Sequence, residues 1–212
     1  MNMTDSIGRR TIPSSPLTLK GRFVRLEPLC REHEASLWQA AQSDLEGIFR
    51  WIPYRMRTSD DLRAVLDKAF AEQKREESVV FVTVAQASNT VIGSTRFMNI
   101  DHVHRRVEIG STWIARPWQR TAINTEAKYL MLRHAFEQWG CIRVELKTDA
   151  LNQRSRDAIL RIGATHEGIL RRHIITWTGR VRDTVYFSIL DSEWPAVKKL
   201  LEEKLAREET GD

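Results

Sequence analysis

The chain has 212 residues and a hydrophobic content of 42%, enough to bury one sizeable core in a single domain. Its formal net charge is +5, but the 33 basic residues are dispersed among 28 acids, which disfavours nucleic acid as the main ligand. No apolar run approaches the roughly 18 residues that a membrane helix needs, so no membrane partner is expected.

The first sixteen residues are polar and lack the apolar segment of a secretory signal. We expect a flexible arm over residues 1–16, a single domain over 17–207 and a frayed tail over 208–212. The two cysteines, Cys30 and Cys141, are too few for a disulfide framework and lie among no metal ligands. Both are interpreted as buried small hydrophobic residues, which favours a cytoplasmic location.

The first third of the chain predicts a strand, two helices and an aromatic loop. Residues 19–28 alternate in the manner of a strand, and residues 32–43 carry apolar side chains at helical spacing. Thr58 and Asp61 form a capping box, which begins the second helix. Residues 47–57, between the helices, are rich in aromatic and basic side chains and contain a proline.

The next segment predicts a β-hairpin. Residues 79–85 and 91–100 are its strands, and Gly93 indicates either a bulge or a close approach of another backbone. His102 and His104 follow in a turn. Because no third ligand lies near these two histidines, we predict no metal site there.

A strand, a phosphate loop, a helix and a second strand form the centre of the chain. The strand covers residues 107–115, and helical periodicity runs from Thr125 to a C-terminal cap at Gly140. The second strand covers residues 141–148. Residues 119–124 form a loop that opens directly into the helix, and such helix starts bind phosphate well. The loop therefore predicts a site for the pyrophosphate of a large cofactor.

The last part of the chain predicts a helix over residues 152–162, strands over 165–177 and 181–190, and a final helix over 192–207. The strand over 181–190 is interpreted as an exposed edge. Exposed edges can pair between subunits, so a homodimer is left open.

Two motifs in this region resemble those of the GNAT acyltransferases. The family motif Q/R-x-x-G-x-G/A grips the pyrophosphate of acetyl-CoA through backbone amides, and its positions here are Gln119, Ala122 and Asn124. Both glycines are replaced, although Ala suffices where φ is negative and Asn tolerates a left-handed conformation. Alternatively, the replacement of both glycines abolishes cofactor binding. The segment from Asn152 to Ser155 matches the family motif N-x-x-S.

The two ends of the domain resemble the RimJ/RimL-type branch of the family, which acetylates protein N-termini. The similar segments are LKGRFVRLEP at 19–28 and RDTVYFSIL at 182–190, and the resemblance covers about residues 17–202. It implies a mixed α/β (α+β) fold with a mostly antiparallel central sheet of about seven strands. A central parallel pair would be splayed at the cofactor, with helices on both faces of the sheet.

The resemblance implies an acetyl-CoA-dependent N-acetyltransferase that moves the acetyl group directly to a primary amine, without a metal. The acceptor would be a protein N-terminus or a small-molecule amine. Two alternatives stay open. The altered glycine loop suggests a non-catalytic acyl-CoA-binding or regulatory module, and the basic charge suggests an RNA- or ribosome-associated protein.

The same resemblance assigns residues to the cofactor and the acceptor. Backbone groups of the first central strand would hold the acetyl and pantetheine groups, at Ser111, Thr112, Trp113 and Ile114. The turn and the helix start would hold the pyrophosphate, at Gln119, Arg120, Thr121, Ala122, Ile123, Asn124 and Thr125. Asn152 would bind the pantetheine arm. Trp51, Tyr54 and Arg55 would help to select the acceptor; alternatively, Phe49 and Trp51 only cap the core.

Glu108 is the first candidate for the general base, because it stands as a carboxylate in an otherwise apolar strand. The alternative is a structural ion pair with Arg96 or Arg106 across the sheet. His173 is the second candidate, because imidazole titrates near neutral pH.

Ser155 is the candidate that protonates the leaving thiolate, directly or through water. Residues 152–163 contain no tyrosine, the residue that many other family members use as the general acid in this segment. The local interpretation makes Asn152 the N-cap of a helix with Ser155 on its first turn, and the two roles are compatible.

Overall fold

The computed structural model describes the backbone of residues 17–210 and the side chains of residues 17–208. The arm expected over residues 1–16 lies outside the described residues. The last helix ends at Thr210 rather than at residue 207, so part of the expected tail is helical. No helix in the described part of the chain is both long enough and apolar enough to cross a membrane.

Most strands and helices follow the predicted order, with small shifts at their ends; the short helix Leu45–Phe49 was not predicted and overlaps the start of the segment interpreted as an aromatic loop. In chain order they are β1 (Leu19–Lys20), β2 (Val24–Pro28), α1 (Glu34–Ala41), α2 (Leu45–Phe49), α3 (Ser59–Lys74), β3 (Ser78–Ala85), β4 (Thr90–Asp101), β5 (Arg106–Ile114), α4 (Ala122–Arg133), β6 (Arg143–Asp149), α5 (Gln153–Arg161), β7 (Thr165–Ile175), β8 (Val181–Leu190) and α6 (Trp194–Thr210). Single 3-10 turns precede α1 and α4, and a π-helical turn, His134–Gln138, follows α4.

The strands form one sheet in the order β1-β2-β3-β4-β5-β6-β8-β7. Only β5 and β6 are parallel, which confirms the mixed, mostly antiparallel sheet with a central parallel pair. The sheet has eight strands rather than seven because the predicted strand over 19–28 is broken. The N–H of Gly21 donates to the carbonyl of Val24 at 2.9 Å, and this turn folds β1 back onto β2.

Helices cover both faces of the sheet, as expected. On one face, α1 and α3 pack over the even-numbered residues of β3, Val80, Val82 and Val84. On the other face, α4 and α6 pack over alternate residues of the central strands, such as Ile109 and Leu146. Each fully buried aliphatic side chain of this size stabilises the fold by about 1.5–3 kcal/mol. The alternating strand pattern therefore produces two separate cores.

The prediction that β8 is an exposed edge is wrong. β8 pairs with β6 through Arg143 and Leu190 and with β7 through Ile175 and Val181, so it lies inside the sheet. The edge strand is β7. A hairpin can place either of its strands next to the rest of the sheet, and the local sequence of the hairpin does not decide which.

Several local predictions are confirmed. Thr58 and Asp61 form the capping box of α3, and Gly140 adopts φ +65° after the π-helical turn. At Gly93 the backbone of the neighbouring strand comes so close that an added Cβ would lie 2.1 Å from the carbonyl oxygen of Trp113. The close approach predicted for Gly93 is therefore present in the pairing of β4 with β5.

Candidate active site

The parallel strands β5 and β6 separate in the middle of the sheet. Their register runs from Arg106 and Arg143 to Glu108 and Glu145, and it stops there. Beyond that point β5 forms a bulge in its pairing with β4. Two residues of β5, Ser111 and Thr112, lie opposite a single residue of β4. The splayed pair expected from the sequence is therefore present, and its opening begins at Glu108.

The bulge in β5 places a non-glycine residue in the left-handed region. Ser111 has φ +47°, a conformation that neighbouring contacts must hold. Tyr54 supplies one such contact, because its hydroxyl lies close to the Ser111 side chain. Burial raises the pKa of Tyr54, while nearby Arg96 and Ser111 oppose that rise. The aromatic loop is thereby tied to the strand that lines the opening.

A buried lysine that the sequence analysis did not identify holds the other side of the bulge. Lys128 of α4 donates to Thr112 Oγ1 at 2.6 Å and lies 3.4 Å from Thr95 Oγ1. Burial lowers the pKa of Lys128 to about 7. Its position was visible in the sequence, because it lies one helical turn before the buried Leu132.

Glu108 is buried at the start of the opening, with an exposed fraction of 2%. Its Oε2 accepts a hydrogen bond from Asn99 Nδ2 at 2.7 Å and pairs with Lys147 Nζ at 2.9 Å. The alternative ion pair with Arg96 or Arg106 is wrong.

The two arginines have other partners. Arg96 pairs with Glu72 of α3 at 2.8 Å, and Arg106 pairs with Asp101 at 3.2 Å. Lys147 reaches Glu108 because it stands two residues beyond Glu145 on the same face of β6. Strand adjacency therefore decides the partner of Glu108.

His173 is exposed on the edge strand β7. Its ring centroid lies 6.1 Å from that of Tyr186, and Lys147 Nζ lies 5.8 Å from the Tyr186 ring. Tyr186 and Lys147 therefore stand between His173 and Glu108, on the same face of the sheet. The structure brings the two candidate bases into one polar array but puts only Glu108 at the opening.

The phosphate loop differs in detail from its prediction. α4 begins at Ala122 with Thr121 as its N-cap, three residues before the predicted start at Thr125. Ala122, Ile123 and Asn124 therefore belong to the first turn of the helix.

The left-handed position of the turn is Arg120, at φ +65°, so neither Ala122 nor Asn124 must adopt that conformation. Gln119 Nε2 donates to the carbonyl of Ile114 at 2.7 Å, which ties the turn to the end of β5. Arg120 itself is exposed. The loop keeps the form of a helix start although both family glycines are absent.

α5 ends, rather than begins, beside the start of α4. Asn152 is its N-cap and accepts from the Ser155 N–H at 3.1 Å, which confirms the local interpretation of that motif. Arg161, in the last turn of α5, donates to Thr125 Oγ1 at 3.2 Å. Ser155 is partly buried on the first turn. The structure therefore joins the last turn of α5 to the first turn of α4.

The aromatic loop after α2 contacts the hairpin between β7 and β8. The Trp51 carbonyl accepts from Arg182 Nη1 at 3.4 Å, and the Pro53 carbonyl accepts from the Trp177 N–H at 2.9 Å. Phe49 is buried against the Trp113 ring at 5.2 Å, so it caps the core. Arg55 instead pairs with Asp61, at the start of α3, at 3.3 Å.

A buried carboxylate at the end of β6 anchors this hairpin, and the sequence analysis did not identify it. Asp149 is 1% exposed, pairs with Arg180 and lies 3.8 Å from Arg182 Nε. Burial lowers the pKa of Arg182, and Asp149 acts against that shift. These ion pairs join the end of β6 to the base of the β7–β8 hairpin.

Comparisons with known proteins agree with this architecture. Residues 24–165 match the model of the acetyltransferase (GNAT) domain. A protein named as a ribosomal N-acetyltransferase, YdaF of Bacillus subtilis, is 34% identical over 109 residues, which are 51% of this chain and 58% of that protein. The chain thus aligns with less than two thirds of this relative's length, and the relative supports the resemblance to the RimJ/RimL-type branch.

Solved structures share the fold. The GCN5-related N-acetyltransferase from Brucella melitensis is 36% identical, with a TM-score of 0.82 over 90% of this chain and 86% of that chain. Mycobacterium smegmatis RimJ in complex with CoA-disulfide is 22% identical, with a TM-score of 0.79 over 91% of this chain and 96% of that chain. The second likeness concerns the fold alone.

Proposed function

Because the chain belongs to the GNAT acetyltransferase family, we propose that it transfers an acetyl group from acetyl-CoA to a primary amine. The acceptor is the amine of a protein N-terminus or of a small molecule. The observation that carries the proposal is the opening between β5 and β6 beyond Glu108, bordered by the bulge at Ser111. The name of the Bacillus relative favours a ribosomal protein as the acceptor.

The start of α4 supports acetyl-CoA as the acyl donor. The first N–H groups of a helix have no partners within the helix, and the helix dipole favours an anion beside them. In this proposal, residues 119–125 bind the pyrophosphate and Asn152 binds the pantetheine arm. Ala122 and Asn124 suit that role, because both are helical and the backbone supplies the donors.

The bulge supports stabilisation of the negative charge that develops on the acetyl oxygen. Residues 111–114 belong to the part of β5 that has separated from β6, so their N–H groups are candidates to donate to that oxygen. Lys128 holds Thr112 through a hydrogen bond, and Tyr54 lies beside Ser111. A bulge fixed in this way needs little rearrangement during the reaction.

Glu108 is the proposed general base. An acceptor ammonium must lose a proton before its nitrogen can attack, and Glu108 accepts that proton directly or through one water. The nitrogen then forms the new C–N bond as the C–S bond breaks, and its excess proton passes through Ser155 or water to the leaving thiolate. Asn99 and Lys147 both contact Oε2, which leaves Oε1 to accept the proton. His173 is the alternative base.

A thiol-release assay over a panel of amines and N-terminal peptides tests the proposal, together with calorimetric titration of acetyl-CoA. We expect Glu108→Gln to lower kcat by about 10²–10⁴-fold while acetyl-CoA binding is retained. Glu145→Gln is the matched control, because Glu145 occupies the same register on β6. Full activity of Glu108→Gln together with loss of activity in His173→Gln would identify His173 as the general base. Failure to bind acetyl-CoA at millimolar concentration would reject the proposal.

A non-catalytic acyl-CoA-binding module is the second candidate, favoured by the ion pair that already engages Glu108 with Lys147. Acetyl-CoA binding without thiol release on any amine would establish it. The cytoplasmic location and the homodimer stay predictions; with β8 inside the sheet, strand pairing between subunits would involve β7.

A further inference from the structure

We propose that a pocket between α2 and the tip of the β7–β8 hairpin binds a carboxylate of the acceptor, so that the enzyme prefers amines whose chain carries an acidic group. The inference rests on the proposed function and specifies its substrate class. The pocket is lined by residues from 45 to 57 and from 176 to 180, and we call it the arginine pocket after Arg50, Arg57 and Arg180.

The walls of the arginine pocket are joined by main-chain hydrogen bonds. The hairpin contributes Trp177, whose N–H donates to the Pro53 carbonyl at 2.9 Å, and Arg182 Nη1 donates to the Trp51 carbonyl at 3.4 Å. Thr176 and Thr178, in the same wall, hydrogen-bond to each other through their hydroxyls at 2.9 Å. The contacts fix the two walls relative to each other, so the pocket is formed before a ligand arrives.

The charge of the arginine pocket is positive. Three arginines and one acid, Glu46, line it, so its net charge is +2. Arg180 already pairs with Asp149 behind the pocket. Among the side chains that the structure describes, no carboxylate forms an ion pair with Arg50 or Arg57. These two arginines are therefore the groups that a ligand carboxylate would neutralise.

Each of the two arginines is held by stacking on an indole ring. The Arg50 guanidinium lies 5.0 Å from the Trp51 ring centroid, and that of Arg57 lies 5.6 Å from the Trp177 ring centroid. A guanidinium that stacks through its face keeps the N–H donors in its plane free, and this planar fork matches a carboxylate. Stacking thus orients the donors without using them.

The pocket is connected to the reaction centre by the loop that forms one of its walls. Phe49, where that loop begins, lines the pocket, and its ring lies 5.2 Å from the ring of Trp113 on β5. The other wall continues into β8, where Arg182 meets Asp149 at the end of β6. An acceptor whose amine enters the opening beside Glu108 would meet the arginines on the outer side of the loop. An acceptor with a cationic amine followed by a carboxylate complements both the negative charge of Glu108 and the positive charge of the arginine pocket.

Matched N-terminal peptides test the inference. Three peptides share their first residue and differ at the next positions, which are Glu, Gln or Lys, and kcat/KM is measured for each. We expect the acidic peptide to exceed its Gln counterpart by about tenfold, mainly through KM, and the advantage to shrink as salt is raised. Arg50→Gln and Arg57→Gln should each reduce this ratio severalfold. Arg171→Gln, an exposed arginine on β7 outside the pocket, should leave the ratio unchanged.

Two further arms identify the source of the carboxylate and separate this inference from the proposed function. Competition by glutamate, which carries both an amine and carboxylates, at concentrations below the peptide KM would assign the pocket to small acidic amines rather than to peptides. Quenching of tryptophan fluorescence measures peptide binding without turnover. If no amine is acetylated, tighter binding of the acidic peptide, weakened by Arg57→Gln, would still support the pocket. Equal kcat/KM and equal binding for the Glu and Gln peptides would overturn it.

Discussion

Replacing Lys128 by methionine should raise the stability of the protein at neutral pH. The ammonium of Lys128 is buried beside two threonine hydroxyls, and burial lowers its pKa from 10.5 to about 7. A depression of that size corresponds to a cost of about 5 kcal/mol for keeping the charge in the folded state, at 1.36 kcal/mol per unit. Loss of the hydrogen bonds to Thr95 and Thr112 reduces the gain, so we expect about 2–4 kcal/mol.

The pH dependence gives the sharper test. Between about pH 7 and 10.5 the unfolded chain binds a proton at this lysine that the folded chain has released, so raising the pH stabilises the folded state. From pH 7 to pH 9 the wild type should gain about 2–3 kcal/mol relative to Lys128→Met. Lys68→Met, at an exposed position on α3, is the surface control and should follow the wild type.

Urea unfolding of the three proteins at pH 6, 7, 8 and 9 measures these differences. Equal slopes of unfolding free energy against pH for wild type and Lys128→Met would refute the argument, because they would mean that Lys128 has the same affinity for protons in both states. A less stable Lys128→Met at every pH would show that the hydrogen bonds to the threonines outweigh the burial of the charge.

Three further substitutions test contacts that stabilise the fold. Glu126→Gln should lower the unfolding free energy by about 3 kcal/mol, because the Glu126 carboxylate accepts three backbone N–H groups, from Arg22, Phe23 and Val24. The amide of glutamine replaces one of the acceptor oxygens by a donor. Urea unfolding measures the loss, with Glu202→Gln as the control, and equal stability of the two variants would contradict the prediction. Gly93→Ala should lower the unfolding free energy by more than about 3 kcal/mol, because the new Cβ would lie 2.1 Å from a carbonyl oxygen. Gly140→Ala should lower it by about 1 kcal/mol, since only the φ of +65° opposes this change. Similar shifts in the melting temperatures of the two variants would contradict the packing argument.

Elements whose signals are local could be predicted from the sequence. The capping box at Thr58 and Asp61 and the N-cap at Asn152 depend on residues within one turn, and both occur in the structure. The order of strand, phosphate turn, helix and strand follows from changes in periodicity between residues 107 and 148. The start of α4 was placed three residues late because the helical periodicity becomes clear only from Thr125, although Ala122, Ile123 and Asn124 form the first turn.

Long-range partners could not be predicted from the sequence. The sequence offered Arg96 and Arg106 as partners of Glu108, but Lys147 on the adjacent parallel strand pairs with it. The position of β8 between β6 and β7 is likewise a choice between two ways of docking a hairpin. The clustering of Arg50 and Arg57 at one pocket also has no local signature.

The sequence by itself determined the succession of elements, their caps and the polar and apolar faces of the strands, because these depend on spacings of two to four residues that every conformation of the segment shares. Only the tertiary structure decided where β5 separates from β6, which cation faces Glu108 and which arginines pair with no carboxylate among the described side chains. Those features depend on the distance between residues far apart in the chain, and a side chain acquires its partners and its desolvation only when the strands and helices are packed.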